Sequence, residues 1–535
     1  MDAPSATGAS AALDTRGRGP AAGRPAADSR SPSGGSRPSG PADLRRSPPN
    51  ADALMITTDR MAMVDRNAAA LGVPRKQLME SSGNAVARAV RERAEEGDRV
   101  TLVCGRGNNG GDAMVAARFL EGFDLRVVLL GRPETISTQI TRENWAALGA
   151  AEVPTETVTD SRSFDLDDPD VVVDAMLGTG VTGALREPEA TVAEALNAAD
   201  ATVVAVDVPS GVDADTGAAE GAAVDADAVV TFHDTKPGFD DFDAEVVVED
   251  IGIPDAAETF TGPGDLLSIR RSPGATKGDA GRAFVIGGGP YTGAPALASQ
   301  AALRAGVDLS FVAVPESVKT PIQSYAEDLI VQPYEGDHLA PDHVDDLVDT
   351  AESHDDVVVI GPGLGSHDET VEAAERFLSE FEGRAVVDAD ALPVIPEVDT
   401  DATLVLTPNR KELVELGGPD VDDLRANQAA IADLSAELGH VVLAKAKDDV
   451  ITDGERTRVC RAGTPGMTVG GTGDTLAGIT AAMLATHDPF EAACMAPQIN
   501  GSAAEAIAGE VGDGLLASDL LDAIPRAVWG DESDE

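Results

Sequence analysis

Short apolar runs recur along almost the whole chain, and this recurrence is what most restricts its fold. Segments with helical periodicity separate most of the runs. Because neighbouring parallel strands need crossover connections, usually helices, this order predicts parallel sheets with helices on their faces. The runs of the first half are Arg99–Cys104, Leu125–Leu130, Val171–Met176, Thr202–Val208, Ala228–Phe232 and Glu245–Val248. Those of the second half are Arg282–Gly287, Leu309–Val314, Val357–Ile360, Ala385–Val387, Thr403–Leu406, Val441–Ala444, Val450–Thr452 and Arg456–Cys460.

A link that contains Pro and Gly, residues 261–273, separates the two series of runs. A chain of 535 residues is too long for one hydrophobic core. No convincing internal repeat relates the two halves. The sequence therefore predicts two different α/β domains in tandem.

The first 50 residues differ from the rest, because they are mostly Ala, Pro, Gly, Ser and Arg and cannot bury a core. No apolar segment follows Arg45-Arg46, so an export signal is not expected. We interpret residues 1–54 as a disordered tail, or as an upstream extension of a chain that starts at Met55.

The charge balance is strongly acidic, with 93 Asp and Glu against 40 Lys and Arg and a net charge of −53. The acidic residues lie between ordinary apolar runs rather than in one tail. Self-repulsion on this scale favours concentrated counterions that screen it, so we expect a halophile's cytoplasmic protein. Nucleic acids and membranes are not expected partners.

The three cysteines, Cys104, Cys460 and Cys494, have no CxxC spacing. Such usage indicates a reducing compartment and core positions rather than a zinc site. No apolar run approaches the roughly 18 residues that a membrane span needs.

The first polar motif is the turn Gly105-Arg-Gly-Asn-Asn-Gly-Gly-Asp112, which precedes a helix predicted over Ala113–Leu120. Its Gly-x-Gly-x-x-Gly spacing fits a dinucleotide fingerprint, but the second strand lacks the acidic residue that this fingerprint requires. The side chains of Asn108, Asn109 and Asp112 are more polar than a phosphate turn needs. They suit a ribose, an amide ligand or a hard cation better.

Two further polar turns end strands of the same predicted sheet, and each begins with an aspartate. Ligands of open α/β sheets bind at the carboxyl ends of strands. We therefore expect Asn109, Asp112, Asp174, Asp207 and Ser210 to lie close together. A turn or cap explains each of them singly, whereas the set favours a functional site.

In this order, GNNGGD, VDAMLGTG and VDVPSG with Thr231–Gly238 resemble the NAD(P)H-hydrate epimerase domain, over residues 55–258. The resemblance implies a Rossmann-like three-layer α/β/α domain that interconverts the R and S forms of NAD(P)HX, hydrated at C6. It implies that Asp207 is the acid–base group, and that K⁺ is held by Asn109, Asp174 and Ser210. The family more often has Gly where this chain has Ala113. The residues implied to surround the substrate are Asn108, Asn109, Gly110, Gly111, Asp112, Gly178, Thr179, Gly180, Val181, Thr182, Gly183, Ala184 and Asp207.

The second polar motif, Gly466–Gly478, has four glycines in its first eight residues and runs into a predicted helix, Leu476–Leu484. Glycines before a helix let the backbone close on an anion that the helix N–H groups attract. Asp474 is unexpected here, because a carboxylate repels a phosphate unless it has a chemical task such as accepting a proton. A helix cap is the alternative role.

Together with earlier strand-end motifs, this stretch resembles the ADP- or ATP-dependent NAD(P)H-hydrate dehydratase, of the ribokinase-like superfamily, over residues 262–530. The tandem order with an epimerase domain is more specific than any single motif. The resemblance implies that ADP phosphorylates the hydrate hydroxyl, giving AMP, and that loss of phosphate restores NAD(P)H. Mg²⁺ is expected with the nucleotide. The other motifs are Thr276–Arg282, Gly361–Gly365, Asp388–Leu392, Thr407–Glu412 and Lys445–Lys447.

The resemblance implies that Asp474 accepts the hydroxyl proton. The family commonly has His at Thr276, Gly at Ala446 and, in bacterial members, His at Asn409. The residues implied to bind the hydrate or its metal are Gly363, Asn409, Glu412 and Asp474. Those implied to bind the nucleotide are Lys445, Ala446, Lys447, Asp448, Asp449, Gly470, Gly471, Thr472 and Gly473.

Two alternatives stay open from the sequence. A small-molecule kinase of the same superfamily, acting on a hydroxymethylpyrimidine, a thiazole or a sugar, would share the Gly-Thr-Gly-Asp turn but keep its product phosphorylated. A non-catalytic scaffold would use the first domain only for binding. The fused first domain and its polar residues favour repair of hydrated NAD(P)H. The expected partners are NADHX, NADPHX and ADP, and we expect a homo-oligomer.

Overall fold

Two sheets organise the protein in the computed structural model, which describes residues 55–180, 183–240 and 242–530. The predictions for residues 1–54 lie outside these ranges. The prediction of two tandem α/β domains is confirmed. The first sheet is formed by β1 (Arg99–Cys104), β2 (Asp124–Leu130), β3 (Thr155–Val158), β4 (Val171–Ala175), β5 (Thr202–Val206), β6 (Ala228–Phe232) and β7 (Glu245–Glu249).

The first sheet is parallel throughout, in the order β3-β2-β1-β4-β5-β6-β7. Neighbouring residues of β1 point to opposite faces, so Leu102 and Val103 belong to two separate cores. One face is covered by α1 (Thr58–Ala70), α2 (Arg75–Arg91), α3 (Asn108–Phe119) and α4 (Gln139–Ala150), and the other by α5 (Glu189–Asn197). This is a three-layer α/β/α domain.

The second sheet has the order β10-β9-β8-β11-β12-β13-β14-β15-β16. It is parallel as far as β14, and the last two strands add on antiparallel. Its strands are β8 (Arg282–Ile286), β9 (Leu309–Pro315), β10 (Ile330–Tyr334), β11 (Val357–Ile360), β12 (Arg384–Val387), β13 (Thr403–Leu406), β14 (Val441–Ala444), β15 (Asp449–Thr452) and β16 (Thr457–Cys460).

Helices cover both faces of the second sheet. One core includes residues from α7 (Gly293–Ala305), α13 (Thr472–Leu484), α14 (Pro489–Val511) and α15 (Ala517–Trp529). The opposite core includes residues from α9 (Val344–Glu352), α10 (Asp368–Glu380), α11 (Arg410–Glu415) and α12 (Gln428–Leu438). Two shorter helices, α6 (Ala256–Thr259) and α8 (Lys319–Gln323), complete the set in the described residues.

Two edge strands, β3 and β10, were not predicted from the sequence. β3 is mostly exposed, and β10 contains Pro333, so neither shows the apolar run that marks a buried strand. Two helix starts were also wrong. Helix α3 begins at Asn108 rather than at Ala113, and α13 begins at Thr472 rather than at Leu476. In both cases the glycine-rich motif forms the first turn of the helix instead of a loop before it.

The link between the domains is tied into both by a buried ion pair. Nη1 of Arg458, on β16, lies 3.0 Å from Oδ1 of Asp265 in the link. The other oxygen of Asp265 accepts a hydrogen bond from Nδ2 of Asn67, on α1, at 3.0 Å. Phe260 pairs with Val459 at the edge of the second sheet. The start of the link is thus part of the packed structure.

The three cysteines are buried and unpaired, as the sequence predicted for core residues. Among the described residues, no helix has the length and apolar character that crossing a membrane requires.

Candidate active sites

The first candidate site lies where the strand order reverses, between β1 and β4. Such a reversal opens a crevice at the carboxyl ends of an open α/β sheet. Gly105 follows β1 there, and a Cβ on it would lie 1.7 Å from the Met176 carbonyl oxygen, so only glycine permits this approach. A cavity of about 710 Å³ opens beside it. Asp65, Asn108 and Asp207 are among its polar lining residues.

Helix α3 points its N-terminus at this cavity. Its first residue, Asn108, and Asn109 both line the cavity, as does Asp112 one turn later. Gly110 and Gly111 lie behind them, where a Cβ would come within 2.2 Å of the Gly105 carbonyl oxygen and 2.6 Å of the Thr141 hydroxyl, respectively. These glycines therefore let the helix start directly against β1.

Asn109, Asp174 and Ser210 converge around the peptide groups of Leu177. Nδ2 of Asn109 donates to the Leu177 carbonyl at 2.9 Å, and the Leu177 N–H donates to the Ser210 hydroxyl at 3.0 Å. The Ser210 hydroxyl and N–H lie 2.7 and 2.8 Å from the two oxygens of Asp174. Burial raises the pKa of Asp174 to about 6, and the bonds from Ser210 oppose that shift.

Asp207 follows β5 with a φ of +64°, a left-handed conformation that is uncommon for residues other than glycine. Such backbone strain is typical of functional sites. Its Oδ1 accepts a hydrogen bond from the Thr231 hydroxyl at 3.3 Å and lies 3.7 Å from Nζ of Lys236. The side chain of Lys236 is fully buried.

The order of the second sheet reverses between β8 and β11, and the second candidate site is formed by the turns that follow β11, β12, β13 and β14. A Cβ on Gly361, after β11, would lie 1.7 Å from the Asp388 carbonyl oxygen. The Gly365 N–H donates to Oδ2 of Asp390 at 2.8 Å. These contacts join the turns that follow β11 and β12.

Lys445 is the cation at the centre of this second site. Its Nζ donates to Oδ1 of Asp388 at 2.6 Å, and Oε2 of Glu412 lies 3.9 Å away. The Thr407 hydroxyl donates to the same Asp388 oxygen at 2.7 Å. The four residues follow β12, β13 and β14, so neighbouring strand ends bring them together.

Asp474 lies in the first turn of α13, half-buried near this cluster. Its pKa is raised to about 7, first by burial and then by the negative charge of Asp388, whereas Lys445 lowers it. A Cβ on the preceding Gly473 would lie 3.4 Å from Nζ of Lys445. The helix start therefore carries a carboxyl group that changes its charge near neutral pH.

Asn409 and Glu412 hold each other in a capping box at the start of α11. The Asn409 side chain accepts hydrogen bonds from the N–H groups of Lys411 and Glu412, and Glu412 accepts one from the Asn409 N–H. Such a box stabilises a helix start by itself. Because Glu412 also faces Lys445, the box additionally fixes the position of a carboxylate at the site.

The turn between β14 and β15 runs from Lys445 to Asp449. The Ala446 N–H donates to Oδ1 of Asp449 at 2.7 Å, and burial raises the pKa of Asp449 to about 7. Asp448 instead pairs with Arg425 at 3.3 Å. Ala446 and Lys447 are exposed.

Comparisons with known proteins cover both halves of the chain. The family profile described as NAD(P)H-hydrate dehydratase matches residues 283–526, and that described as YjeF-related protein N-terminus matches residues 75–238. The bifunctional NAD(P)H-hydrate repair enzyme Nnr of Pyrobaculum aerophilum is 44% identical over an alignment of 492 residues, and the match covers 88% of this chain and 98% of that protein. The enzyme of the same name from Methanothermobacter thermautotrophicus is 44% identical over an alignment of 499 residues, and the match covers 89% of this chain and 96% of that protein. The chain belongs to the family of bifunctional NAD(P)H-hydrate repair enzymes.

Among solved structures, the ADP/ATP-dependent NAD(P)H-hydrate dehydratase from Bacillus subtilis, co-crystallised with ATP/Mg²⁺, is 26% identical. The match covers 50% of this chain and 94% of that chain, with a TM-score of 0.41.

Within the repair-enzyme fold, only some of the residues predicted for the first site line its cavity. Asp174, Ser210, Gly110 and Gly111 are buried and are not part of the lining. Gly183 and Ala184 lie outside that lining, and Val181 and Thr182 lie outside the described residues. The predicted residues that line the cavity are Asn108, Asn109, Asp112, Gly178, Thr179, Gly180 and Asp207.

The residues predicted for the second site surround the turns at the carboxyl ends of its strands. Gly363 has a φ of +73°, and a Cβ there would lie 2.7 Å from the Tyr291 carbonyl oxygen. Gly471 has a φ of +102° at the start of α13, whereas a Cβ on Gly470 would meet open space. The Thr472 hydroxyl donates to the Met467 carbonyl at 2.8 Å.

Sequence reasoning assigned no role to several charged residues that the structure places at the sites. Asp65 lies on α1, where a polar residue on a helix gives no signal of its own. Lys236 belongs to one of the motifs on which the resemblance rests, but only the structure shows that its side chain is completely buried. Asp388 is likewise buried beside Lys445. Only the folded chain shows these contacts.

Proposed function

We propose that this protein repairs hydrated NADH and NADPH, with residues 55–258 as the epimerase domain and residues 262–530 as the dehydratase domain. The first would interconvert R and S NAD(P)HX, and the second would convert the S form to NAD(P)H with ADP, releasing AMP and phosphate. The observation that carries the proposal is the similarity of nearly the whole chain, at 44% identity, to bifunctional NAD(P)H-hydrate repair enzymes. The crevices of both domains carry the polar groups that these reactions need.

We propose that the first domain holds K⁺ with Asn109, Asp174 and Ser210. Oxygen donors suit a hard cation, and these three side chains converge around Leu177. Asp174 is completely buried. Among the described residues, no cationic side chain contributes to the shift of its pKa. A buried carboxylate is costly unless a positive charge accompanies it, so a bound cation would fit the donor set. Its positive charge would stabilise the ionised form of Asp174.

In the second domain, Asp474 would accept the proton of the hydrate hydroxyl as that oxygen attacks the terminal phosphoryl group of ADP. Its pKa of about 7 suits a base that works near neutral pH. Gly470, Gly471, Thr472 and Gly473 would offer backbone N–H groups to the moving phosphoryl group at the start of α13. Lys445 would neutralise the charge that develops there.

Departure of the phosphorylated oxygen as inorganic phosphate, together with loss of a proton from C5, would then restore the dihydropyridine ring. Gly363, Asn409 and Glu412 would hold the hydrate, with Glu412 fixed by its capping box. Mg²⁺ would accompany the nucleotide and screen its phosphates. The turn Lys445, Ala446, Lys447, Asp448 and Asp449 would contact the rest of the nucleotide.

We also propose that the protein works in the cytoplasm of a halophile and forms a homo-oligomer. The net charge of −53 is the support for the first statement, because concentrated salt screens the repulsion between carboxylates. A melting temperature that rises steeply with KCl concentration would agree with the salt-rich setting. Light scattering in the same buffers measures the oligomeric state.

The experiment that tests the function uses a mixture of R and S NADHX in molar KCl with Mg²⁺. The return of dihydronicotinamide absorbance is followed with ADP, with ATP and without nucleotide. Full recovery that needs a nucleotide supports both activities, and the better nucleotide identifies the phosphoryl donor. Recovery of the S fraction alone would reject the epimerase, and no recovery by folded protein would favour the small-molecule kinase.

A further inference from the structure

The first cavity contains three aspartates whose surroundings differ. Asp207 has the Thr231 hydroxyl at 3.3 Å and the Lys236 ammonium at 3.7 Å. Asp112 accepts a hydrogen bond from the Ser82 hydroxyl. Oδ1 of Asp65, by contrast, is buried and has no hydrogen-bond partner among the described residues. A buried polar atom without a partner is rare and needs an explanation, such as a ligand that supplies the missing bond.

Asp207 lies beside a buried cationic side chain. The Lys236 ammonium is held by the carbonyl oxygens of Phe232 and Asp234, at 3.2 and 3.1 Å. These bonds fix a positive charge beside the Asp207 carboxylate, at the edge of the cavity that Asp207 lines.

The surroundings of Asp65 favour its protonated form. Burial raises the pKa of Asp65 to about 6, which leaves part of its population protonated near neutral pH. Of the charged groups that face it, Asp207 acts in the same direction, whereas Arg75, His233 and Lys236 act against it. Two carboxyl groups that line one cavity in such different surroundings can take the two roles of an acid–base pair.

We propose that Asp65 is a second catalytic residue of the first domain, acting as the general acid opposite Asp207. This inference rests on the proposed epimerase activity. Inversion at C6 requires the hydroxyl to leave and to return on the other face, and hydroxide is a poor leaving group unless it is protonated. The carboxyl group of Asp65 supplies that proton, and the leaving hydroxyl supplies the hydrogen bond that its Oδ1 lacks.

One inversion takes a proton from Asp65 and gives one to Asp207. The Asp65 proton passes to the C6 hydroxyl, the C6–O bond breaks, and its electron pair leaves with the water molecule. The lone pair of the ring nitrogen N1 forms a double bond to C6. A water molecule then adds to the opposite face of C6, the double-bond electrons return to N1, and Asp207 takes the extra proton. Solvent exchange returns the two carboxyl groups to their starting states.

The test compares Asp65→Asn with Asp59→Asn, the same substitution at an exposed position of the same helix. Purified R NADHX is incubated without nucleotide, and the S epimer is measured by chromatography after subtraction of spontaneous inversion. We expect Asp65→Asn to slow inversion by roughly 10²–10⁴-fold, the usual range for loss of a general acid, and Asp59→Asn to match the unmodified protein. Asp65→Glu keeps a carboxyl group and should restore part of the rate.

Two readouts separate catalysis from a structural role. The dehydration of S NADHX with ADP should be unchanged in Asp65→Asn, which shows that the chain is folded. Inversion by the unmodified protein should slow as pH rises above about 6, where Asp65 loses its proton, and the residual rate of Asp65→Asn should lack that decline.

A third readout follows the oxygen atom. In water enriched in ¹⁸O, each enzymatic inversion should place one solvent oxygen on C6. Inversion by Asp65→Asn at the rate of Asp59→Asn, or inversion without solvent oxygen, would overturn the role given to Asp65. Absence of inversion in the unmodified protein would instead reject the proposed epimerase activity.

Discussion

The Lys445 ammonium lies 2.6 Å from Oδ1 of Asp388, and both side chains are largely removed from solvent. They come from the ends of strands that are not adjacent, with β13 between them. Their charges act in opposite directions on the pKa of Asp474 in the first turn of α13. The two members of the ion pair therefore act on Asp474 in addition to burial, which is the largest cause of its raised pKa.

Replacing Lys445 with Met should lower the rate of dehydration of S NADHX by roughly 10²–10³-fold, because a charge that stabilises the phosphoryl group is lost. Lys445 lowers the pKa of Asp474, so its removal should raise that pKa above about 7 and move the rising part of the pH–rate profile to higher pH. The value of kcat, measured as a function of pH, shows both effects. Lys411→Met, in an exposed pair with Glu415, is the control and should change neither.

Replacing Asp474 with Asn should reduce dehydration by roughly 10²–10⁴-fold and leave epimerisation intact. The same change should affect stability with a defined sign. The folded protein binds the Asp474 proton more tightly than the unfolded chain, so this group's contribution to stability is lost as pH rises from about 4 through about 7. Thermal melts should therefore show a larger gain from Asp474→Asn at pH 8 than at pH 5. Equal gains at both pH values would contradict the assigned pKa direction.

Replacing Asp265 with Asn should strongly destabilise the protein, because it leaves the Arg458 guanidinium buried without its countercharge. Loss of one partner of a buried pair costs about 3–5 kcal/mol. Asp420→Asn, which removes an exposed partner of Arg410, should cost no more than about 1 kcal/mol. Denaturant unfolding compares the two variants. A double variant, Asp265→Leu with Arg458→Met, should regain much of the lost stability.

Replacing Asp174 with Asn should remove the dependence of epimerisation on K⁺, because the proposed site loses its only carboxylate. The rate is measured against KCl concentration, with choline chloride holding the ionic strength constant. The unmodified protein and the surface variant Asp160→Asn should show a saturable K⁺ response. A similar response in Asp174→Asn would place the cation elsewhere.

Replacing two helix glycines with alanine should change the stability of the protein in opposite directions. A Cβ on Gly478, in α13, would lie 2.0 Å from the Ala298 carbonyl oxygen of α7, so Gly478→Ala should force these helices apart and lower the melting temperature. A Cβ on Gly509, in α14, would meet open space. Gly509→Ala should therefore raise stability by about 0.5–1 kcal/mol. Thermal melts of the two variants under the same conditions test both expected changes.

Local sequence patterns determined most of the architecture. The apolar runs predicted the central strands of both sheets, because a strand buried on both faces needs a continuous apolar segment. The edge strands β3 and β10 carry no such segment and were found only in the structure. The glycine-rich motifs marked both crevices but not the helix starts, because the motif residues themselves form the first turns of α3 and α13.

The tertiary structure alone decided which charges meet. Asp65 and Asp207 are far apart in the chain, as are Asp388, Lys445 and Asp474, and no spacing in the sequence indicates that they share a site. Strand order brings Asp388 and Lys445 together, whereas Asp65 and Asp474 are placed by the helices that carry them. Burial raises the pKa values of both, to about 6 and about 7, into the range where they can exchange protons. Desolvation and neighbouring charge depend on three-dimensional packing, so a sequence can name such residues but cannot give them their chemistry.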